Sequence, residues 1–219
     1  MKKKMITVLC MVFVGIQTNA LIATSNSCID IKSTSAVCSN TTFEEGVHYK
    51  ELSLPKSTIP ELKHFFSFFD DRCYQFQPLL KSLEKEIPSE VTVNKIPVAS
   101  KKGNKAYYLS KAYVIAMSFD ITEKIVPRIF DLIHKKEQEL KESAIRQLFI
   151  DAGIDPRDYD AAYTSFGTDS MVSNFNESFK EAGLTMVPNF LVNNKYLVLY
   201  SNLNSEEEYL NLIKFLLNK

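Results

Sequence analysis

Within FFSFFDDRCYQF, Phe65 to Phe76, the tetrad Asp70-Asp71-Arg72-Cys73 sets two carboxylates, a guanidinium and a thiol side by side. The stretch leading into it, ELKHFFSFF, is apolar almost throughout, as a strand covered on both faces should be. From Asp70 to Glu86 the spacing turns helical, with Tyr74, Leu79, Leu80 and Leu83 among the apolar positions. The tetrad therefore falls where a buried strand runs into a helix. A carboxylate suits that place, because the first N–H groups of a helix lack partners inside it and the dipole favours negative charge. Aspartate is also a preferred N-cap, worth about 1 kcal/mol. The thiol one turn further in has two readings. The helix terminus and Arg72 could lower the pKa of Cys73 and leave it a reactive single thiol. Alternatively it points inward and is inert, with Asp70 and Asp71 opposing a thiolate.

Other chemistry is scarce. There is no Gly-rich phosphate loop, zinc spacing or G-x-S-x-G elbow. His48, His64 and His134 lie far apart, with no partner residue in view for a ligand or base role. No metal and no cofactor is implied. Lys+Arg and Asp+Glu balance at 26 each, so bulk charge does not point to nucleic acid or anionic lipid.

The start of the chain sets the compartment. MKKK, a mostly apolar run from Met5 to Gln17 and TNA before Leu21 form the layout of a secretory signal peptide, residues 1–20. The apolar run is short for a membrane span, the alternative being an uncleaved anchor, and no later segment is long enough. Export without stable membrane insertion is expected. Cleavage removes Cys10 and leaves Cys28, Cys38 and Cys73. Cys28 and Cys38 lie in a polar Ser/Thr/Asn-rich segment, residues 21–42, which reads as a flexible extension. An oxidising compartment favours their pairing, worth roughly 3 kcal/mol as a short loop, the alternative being two free thiols. Either way Cys73 is the odd one.

GVHYKEL reads as a short edge strand, ELKHFFSFF as a central one and EVTVNKIPVA as a third, with Pro97 near its end. Strand, helix and strand form a parallel crossover unit. From Lys105 to Lys180 strand signal nearly vanishes, and five segments show helical periodicity between polar or Gly breaks. Strands return in PNFLVNNKYLVLY, with Asn193-Asn194 as a hairpin turn. Ser205 and Glu208 then have capping-box spacing before a helix whose inner face is Leu210, Ile213, Leu216 and Leu217.

That order describes an α/β chain with a thioredoxin-like fold, residues 43–104 and 181–219, interrupted by an all-helical subdomain, residues 105–180. Here the residues resemble the bacterial DsbA family of periplasmic thiol-disulfide oxidoreductases. FFSFF followed after three positions by CYQF resembles that family's active-site context; LFIDAGIDPRDYDAAYTSF resembles its helical domain and MVPNFLVNNKY its loop and hairpin. The resemblance covers about Gly46 to Lys219 and implies the periplasm. It departs at the catalytic centre. Where the family carries Cys-Pro-His-Cys or a near variant, Asp70 takes the place of the nucleophilic cysteine, Arg72 that of the histidine, and Cys73 matches the second cysteine. Two carboxylate positions of the family become His64 and Gln77, while its lysine is matched by Lys95. Pro188 matches the family's cis-proline, and Val187 before it would offer its backbone to an extended peptide.

Disulfide exchange by a dithiol centre takes two sulfurs, one attacked and one leaving. Asp70 supplies neither, the alternative being that Cys28 or Cys38 reaches Cys73 by the extension folding back across the site. The resemblance therefore implies an exported protein of the thiol-disulfide interchange family that lacks dithiol oxidase activity. Its expected role is to bind unfolded or cysteine-containing proteins and peptides, as a chaperone or adaptor, the family's redox partner having lost its counterpart. Two alternatives stand beside it: thiol exchange, reduction or isomerisation through Cys73 alone, and a structural remnant in which Asp70 is only a good cap and Pro188 only shapes its loop.

Overall fold

Strand β2, Glu61–Phe66, organises the sheet because its side chains are wanted on both faces. Leu62, Phe65 and Phe66 are all buried, and neighbouring strands flank it on either side. The computed structural model describes residues 42–99, 103–135, 140–203 and 205–219. The expected signal peptide, Cys28, Cys38 and the extension as far as residue 41 lie outside the described residues.

After an edge strand β1, Tyr49–Glu51, and β2 come two short helices, α1 (Asp71–Gln75) and α2 (Gln77–Glu86), and strand β3, Thr92–Pro97. Helices α3 (Lys105–Ser118), α4 (Thr122–His134), α5 (Glu142–Asp151), α6 (Pro156–Thr164) and α7 (Phe166–Glu181) follow without an intervening strand. Strands β4 (Asn189–Val192) and β5 (Tyr196–Val198), one 3-10 turn and α8 (Glu206–Asn218) complete the chain. The sheet order is β1-β5-β4-β2-β3, with β2 and β3 parallel and the other neighbours antiparallel. This is a thioredoxin-like α/β fold with a helical insertion.

Side-chain alternation along β2 divides the interior. Leu62 packs with Leu80, Leu83, Ile213 and Leu216 under α2 and α8, and Phe65 packs on the opposite side with Ile96, Leu184 and Leu191. Phe66 reaches the third cluster, where Phe68, Cys73, Ile129 and Phe130 meet the inserted helices. Helix α3 is buried almost all round from Tyr107 to Ala116, because α4, α5, α6 and α7 all pack against it. Each hydrophobic face thus has a partner.

Three local readings are corrected. The single helix expected from Asp70 to Glu86 is two, joined at Phe76. Pro78 explains the break, since it has no N–H to give to the carbonyl one turn back. The strand stops at Phe66, and Ser67–Phe69 forms a turn closed by the Asp70 N–H donating to the Ser67 carbonyl at 3.3 Å. In α8, Leu217 is only half-buried, and Tyr209 and Leu212 belong to the inner face beside Leu210, Ile213 and Leu216. The Ser205 hydroxyl does cap this helix, accepting the Glu208 N–H at 3.2 Å.

The Asn193-Asn194 turn carries more than a change of direction. Both residues have positive φ, 50° and 54°. The buried Asn193 amide accepts the Glu61 N–H at 3.2 Å and donates to the Leu216 and Leu217 carbonyls, each at 3.1 Å. It thereby joins β2, the hairpin and the end of α8. Replacing Asn193 with glycine should cost about 2–3 kcal/mol through the lost hydrogen bonds. Alanine should cost roughly 1–2 kcal/mol more, because its Cβ resists the left-handed backbone. Urea denaturation of the two variants beside the parent measures both differences.

Candidate functional site

The turn after β2 delivers Asp70 to the head of α1 in extended conformation, φ −93° and ψ 121°. One carboxylate oxygen accepts the Cys73 N–H at 3.0 Å, closing the first turn of the helix. The other accepts from the Arg72 guanidinium at 3.1 Å. Burial by itself would raise the Asp70 pKa, but the Arg72 hydrogen bond, the Cys73 N–H and the Arg72 charge outweigh it and hold the carboxyl below its ordinary value. A standing negative charge occupies the N-cap.

Arg72 carries the contact across to a second segment. The same nitrogen that meets Asp70 also donates to the backbone carbonyl of Val187 at 2.7 Å, and another donates to the Tyr200 hydroxyl at 3.3 Å. Tyr200 in turn donates to the Met186 sulfur at 3.1 Å. Val187 precedes Pro188 through a cis peptide bond, and Pro188 leads directly into β4. Asp70, Arg72, Val187 and Pro188, each marked separately by the sequence, are thus brought together. Tyr200 and Met186 join them and had no signal of spacing or type to mark them.

Cys73 lies beneath this surface. Its side chain is fully buried among Phe66, Phe68 and the inserted helices, and its sulfur accepts the Ser67 N–H at 3.4 Å. Burial above all, with the Asp70 carboxylate beside it, pushes the thiol up to about 12, against smaller opposing contributions from the Ser67 N–H and the Arg72 charge. The Arg72 charge does lower the thiol pKa as the sequence suggests, but desolvation outweighs it. Phe69 is 42% exposed next to Asp70, and Met186 is 50% exposed. Exposed apolar side chains thus directly precede both Asp70 and Val187 along the chain.

The three positions marked by their resemblance to the family lie elsewhere. His64, Gln77 and Lys95 all line one cavity between β2, α2, β3 and α4. Gln77 alone touches the tetrad, donating to the Cys73 carbonyl at 3.1 Å. Lys95 is held by Glu84 at 2.7 Å and Glu123 at 3.2 Å. Burial would lower the Lys95 ammonium, but these carboxylates outweigh it and keep its pKa above the ordinary value. His64 is 1% exposed and stacks between Phe66 and Phe190, with ring centroids 5.5 and 4.8 Å away. Burial first, then the Lys95 charge, lowers its pKa to about 3, so the imidazole is neutral.

His134, which sequence left without a partner, has two. One ring nitrogen lies 3.0 Å from the Asp71 carboxylate and the other 2.8 Å from the Phe68 carbonyl, while the ring stacks on Tyr74 at 4.7 Å. It ties α4 to the turn that presents the tetrad. Only the fold could reveal it, since its partners lie more than sixty positions away. Among the described residues no group of three or more His, Cys, Asp or Glu side chains is placed to hold a metal ion.

Two outcomes are expected from these electrostatics. The depressed Asp70 pKa contributes stability above the unfolded value of about 4 that is lost as pH falls through the lower folded value. Asp70→Asn keeps an N-cap and removes the charge, so the stability gap to the parent should be widest near neutrality and close as pH falls below about 4, read from urea titrations at stepped pH. A thiol titrating near 12 is ionised to roughly one part in ten thousand at pH 8. Iodoacetamide at pH 8 should leave Cys73 unmodified in the native protein and label it in urea, read by peptide mass mapping.

Comparison with known proteins gives the family. The model of the DSBA-like thioredoxin domain matches residues 95–210. The thiol:disulfide interchange protein DsbA of Escherichia coli K12 is 33% identical over 157 residues, covering 70% of this chain and 76% of that protein. The DsbA of Pectobacterium carotovorum is 29% identical over 186 residues, covering 81% of this chain and 89% of that protein. Among solved structures, a Proteus mirabilis DsbA variant with a non-covalently bound peptide, PWATCDS, superposes with a TM-score of 0.74 at 26% identity, covering 81% of this chain and 100% of that one. The Proteus mirabilis disulfide oxidoreductase DsbA gives 0.73 at 28% identity, covering 83% and 100%. The fold, the sequence match and the length covered agree, and this chain belongs to the DsbA-like thioredoxin domain family of thiol-disulfide interchange proteins.

Proposed function

We propose that this chain is an exported DsbA-like protein without dithiol oxidase activity that works by binding extended peptides or a protein partner. The observation that carries the proposal is the Asp70 N-cap. A carboxylate, not a sulfur, accepts the Cys73 N–H at 3.0 Å. An oxidase centre needs a second sulfur within bonding reach of the first, with Cα atoms about 4.4–6.8 Å apart. The only cysteine among the described residues is Cys73, and it is buried and free. Its burial and high pKa also weigh against single-thiol exchange.

Asp70 supplies permanently the negative charge that a thiolate would supply only when reduced. A helix N-terminus stabilises that charge, and Arg72 neutralises it toward the surface. What stays is the Val187–Pro188 loop, with the exposed Met186 directly before it. In the Proteus mirabilis neighbour a peptide is bound without a covalent bond, which favours binding as the activity retained here. An extended peptide pairing its N–H with the Val187 carbonyl would have to displace Arg72 from that oxygen. Arg72 thus competes with the ligand.

In this reading the thioredoxin-like part comprises residues 43–104 and 181–219 and the helical subdomain residues 105–180. Export through the signal peptide makes unfolded or cysteine-containing proteins of the periplasm the natural clients. Among the described residues no helix is long and apolar enough to cross a membrane.

The purified protein should neither reduce insulin nor oxidise a dithiol peptide, and Cys73→Ser should change nothing. Turnover abolished by Cys73→Ser would assign the chain to single-thiol catalysis instead. Fluorescence titration with unfolded, cysteine-blocked peptides should saturate, with NMR shifts centred on Val187. Arg72→Ala should tighten binding about tenfold, the worth of one charge-assisted hydrogen bond no longer to be broken. Absence of any saturable signal would leave the chain a structural relative without a ligand.

A further inference from the structure

Three separate segments build a cradle around the Arg72 guanidinium. It donates to the Asp70 carboxylate at 3.1 Å, the Val187 carbonyl at 2.7 Å and the Tyr200 hydroxyl at 3.3 Å. One nitrogen serves the carboxylate and the carbonyl together, so these two oxygens lie within reach of a single donor group. The second carboxylate oxygen is taken by the Cys73 N–H, and the Tyr200 hydroxyl gives its own proton to the Met186 sulfur. What the cradle turns toward Arg72 is therefore acceptors alone, one of them charged.

The Arg72 side chain is half exposed. A surface ion pair of this kind is weakly held, being screened by water and salt, so the guanidinium is exchangeable. An extended peptide that pairs with Val187 needs the oxygen Arg72 holds. Once Arg72 leaves, the Asp70 carboxylate faces the arriving chain. A neutral peptide would stand against an uncompensated charge. An acidic one would add a carboxylate to a tetrad that already carries two against one guanidinium. A cationic side chain beside the pairing residue would restore what Arg72 supplied. Arginine suits the place better than lysine, because the cradle engages two different nitrogens of a planar fork and an ammonium is a single point. The apolar stem of that arginine would find Met186, which is half exposed and borders the cradle through Tyr200.

We infer, on the peptide-binding reading above, that the cradle of Asp70, Val187 and Tyr200 selects peptides carrying an arginine, whose guanidinium takes the place of Arg72. Arg72 is then an internal stand-in for the ligand. It satisfies the carboxylate and the carbonyl while no peptide is bound, and yields to an arginine that arrives together with a backbone N–H for Val187.

The probes are two short cysteine-free peptides that differ only at the central residue, arginine in one and citrulline, its neutral isostere, in the other. Each is titrated into the protein and followed by 1H–15N NMR. Both should shift Val187, and the arginine peptide should bind about tenfold more tightly, the worth of one charge-assisted hydrogen bond. Asp70→Asn, which keeps the cap and removes the charge, should erase that preference. Arg72→Ala, which empties the cradle, should widen it. Near-ultraviolet circular dichroism checks the folding of each variant. Equal binding of the two peptides to the parent, the result if Arg72 stays on Asp70 while releasing Val187, would overturn the selection of arginine and leave peptide binding standing. Tighter binding of the citrulline peptide, or a preference that survives Asp70→Asn, would overturn it as well. Saturation by neither peptide would overturn both. The comparison on the parent protein decides the matter even if a variant fails to fold.

Discussion

The hydrogen bond from the Cys73 N–H to the Asp70 carboxylate is the contact on which the rest of this site depends. A helix that begins at the end of a buried strand exposes N–H groups with no partner of their own, and something must meet them. Asp70 does so with one oxygen and keeps the other for Arg72. Arg72 then reaches the Val187 carbonyl, 115 positions along the chain. A local requirement of α1 has become a tertiary link between the helix head and the loop before β4. The same carboxylate opposes ionisation of the thiol beneath it.

The tetrad and the three positions matched to the family's polar groups have different surroundings in this chain. Arg72 reaches the surface beside Asp70, while His64, Gln77 and Lys95 are among the residues lining an open pocket between β2, α2, β3 and α4. Of these, only Gln77 touches the tetrad, through the Cys73 carbonyl. Lys95 has found Glu84 and Glu123 instead, and His64 has settled as an unprotonated ring between two phenylalanines. Buried charge is costly unless it is paired, which accords with a neutral His64 and a Lys95 held by two carboxylates.

Much of the architecture was legible in the chain. The apolar run of β2, the crossover to β3, the long helical block and the Asn193-Asn194 turn all come from local pattern, and local pattern is what periodicity reports. The errors are as instructive. One helix was read where Pro78 makes two, because apolar spacing continues across a break that only the missing N–H produces. The apolar run ELKHFFSFF reads as a strand covered on both faces through Phe69, yet Phe69 is 42% exposed, since the strand ends at Phe66 and a turn follows. His134 looked solitary because its partners, Asp71 and Phe68, are distant in sequence and close only after α4 packs against the turn.

What the amino-acid order determined by itself is the identity of the groups: a carboxylate at the strand-to-helix junction, a single cysteine one turn into the helix, and capping residues that begin the helices. These follow from residue type and short-range geometry. Tertiary structure alone decided their condition. Packing against the inserted helices buried Cys73 and raised its pKa, the approach of the Pro188 loop gave Arg72 an acceptor, and burial, with the Lys95 charge, left His64 neutral. Desolvation depends on everything that surrounds a group, and no stretch of sequence contains its own surroundings.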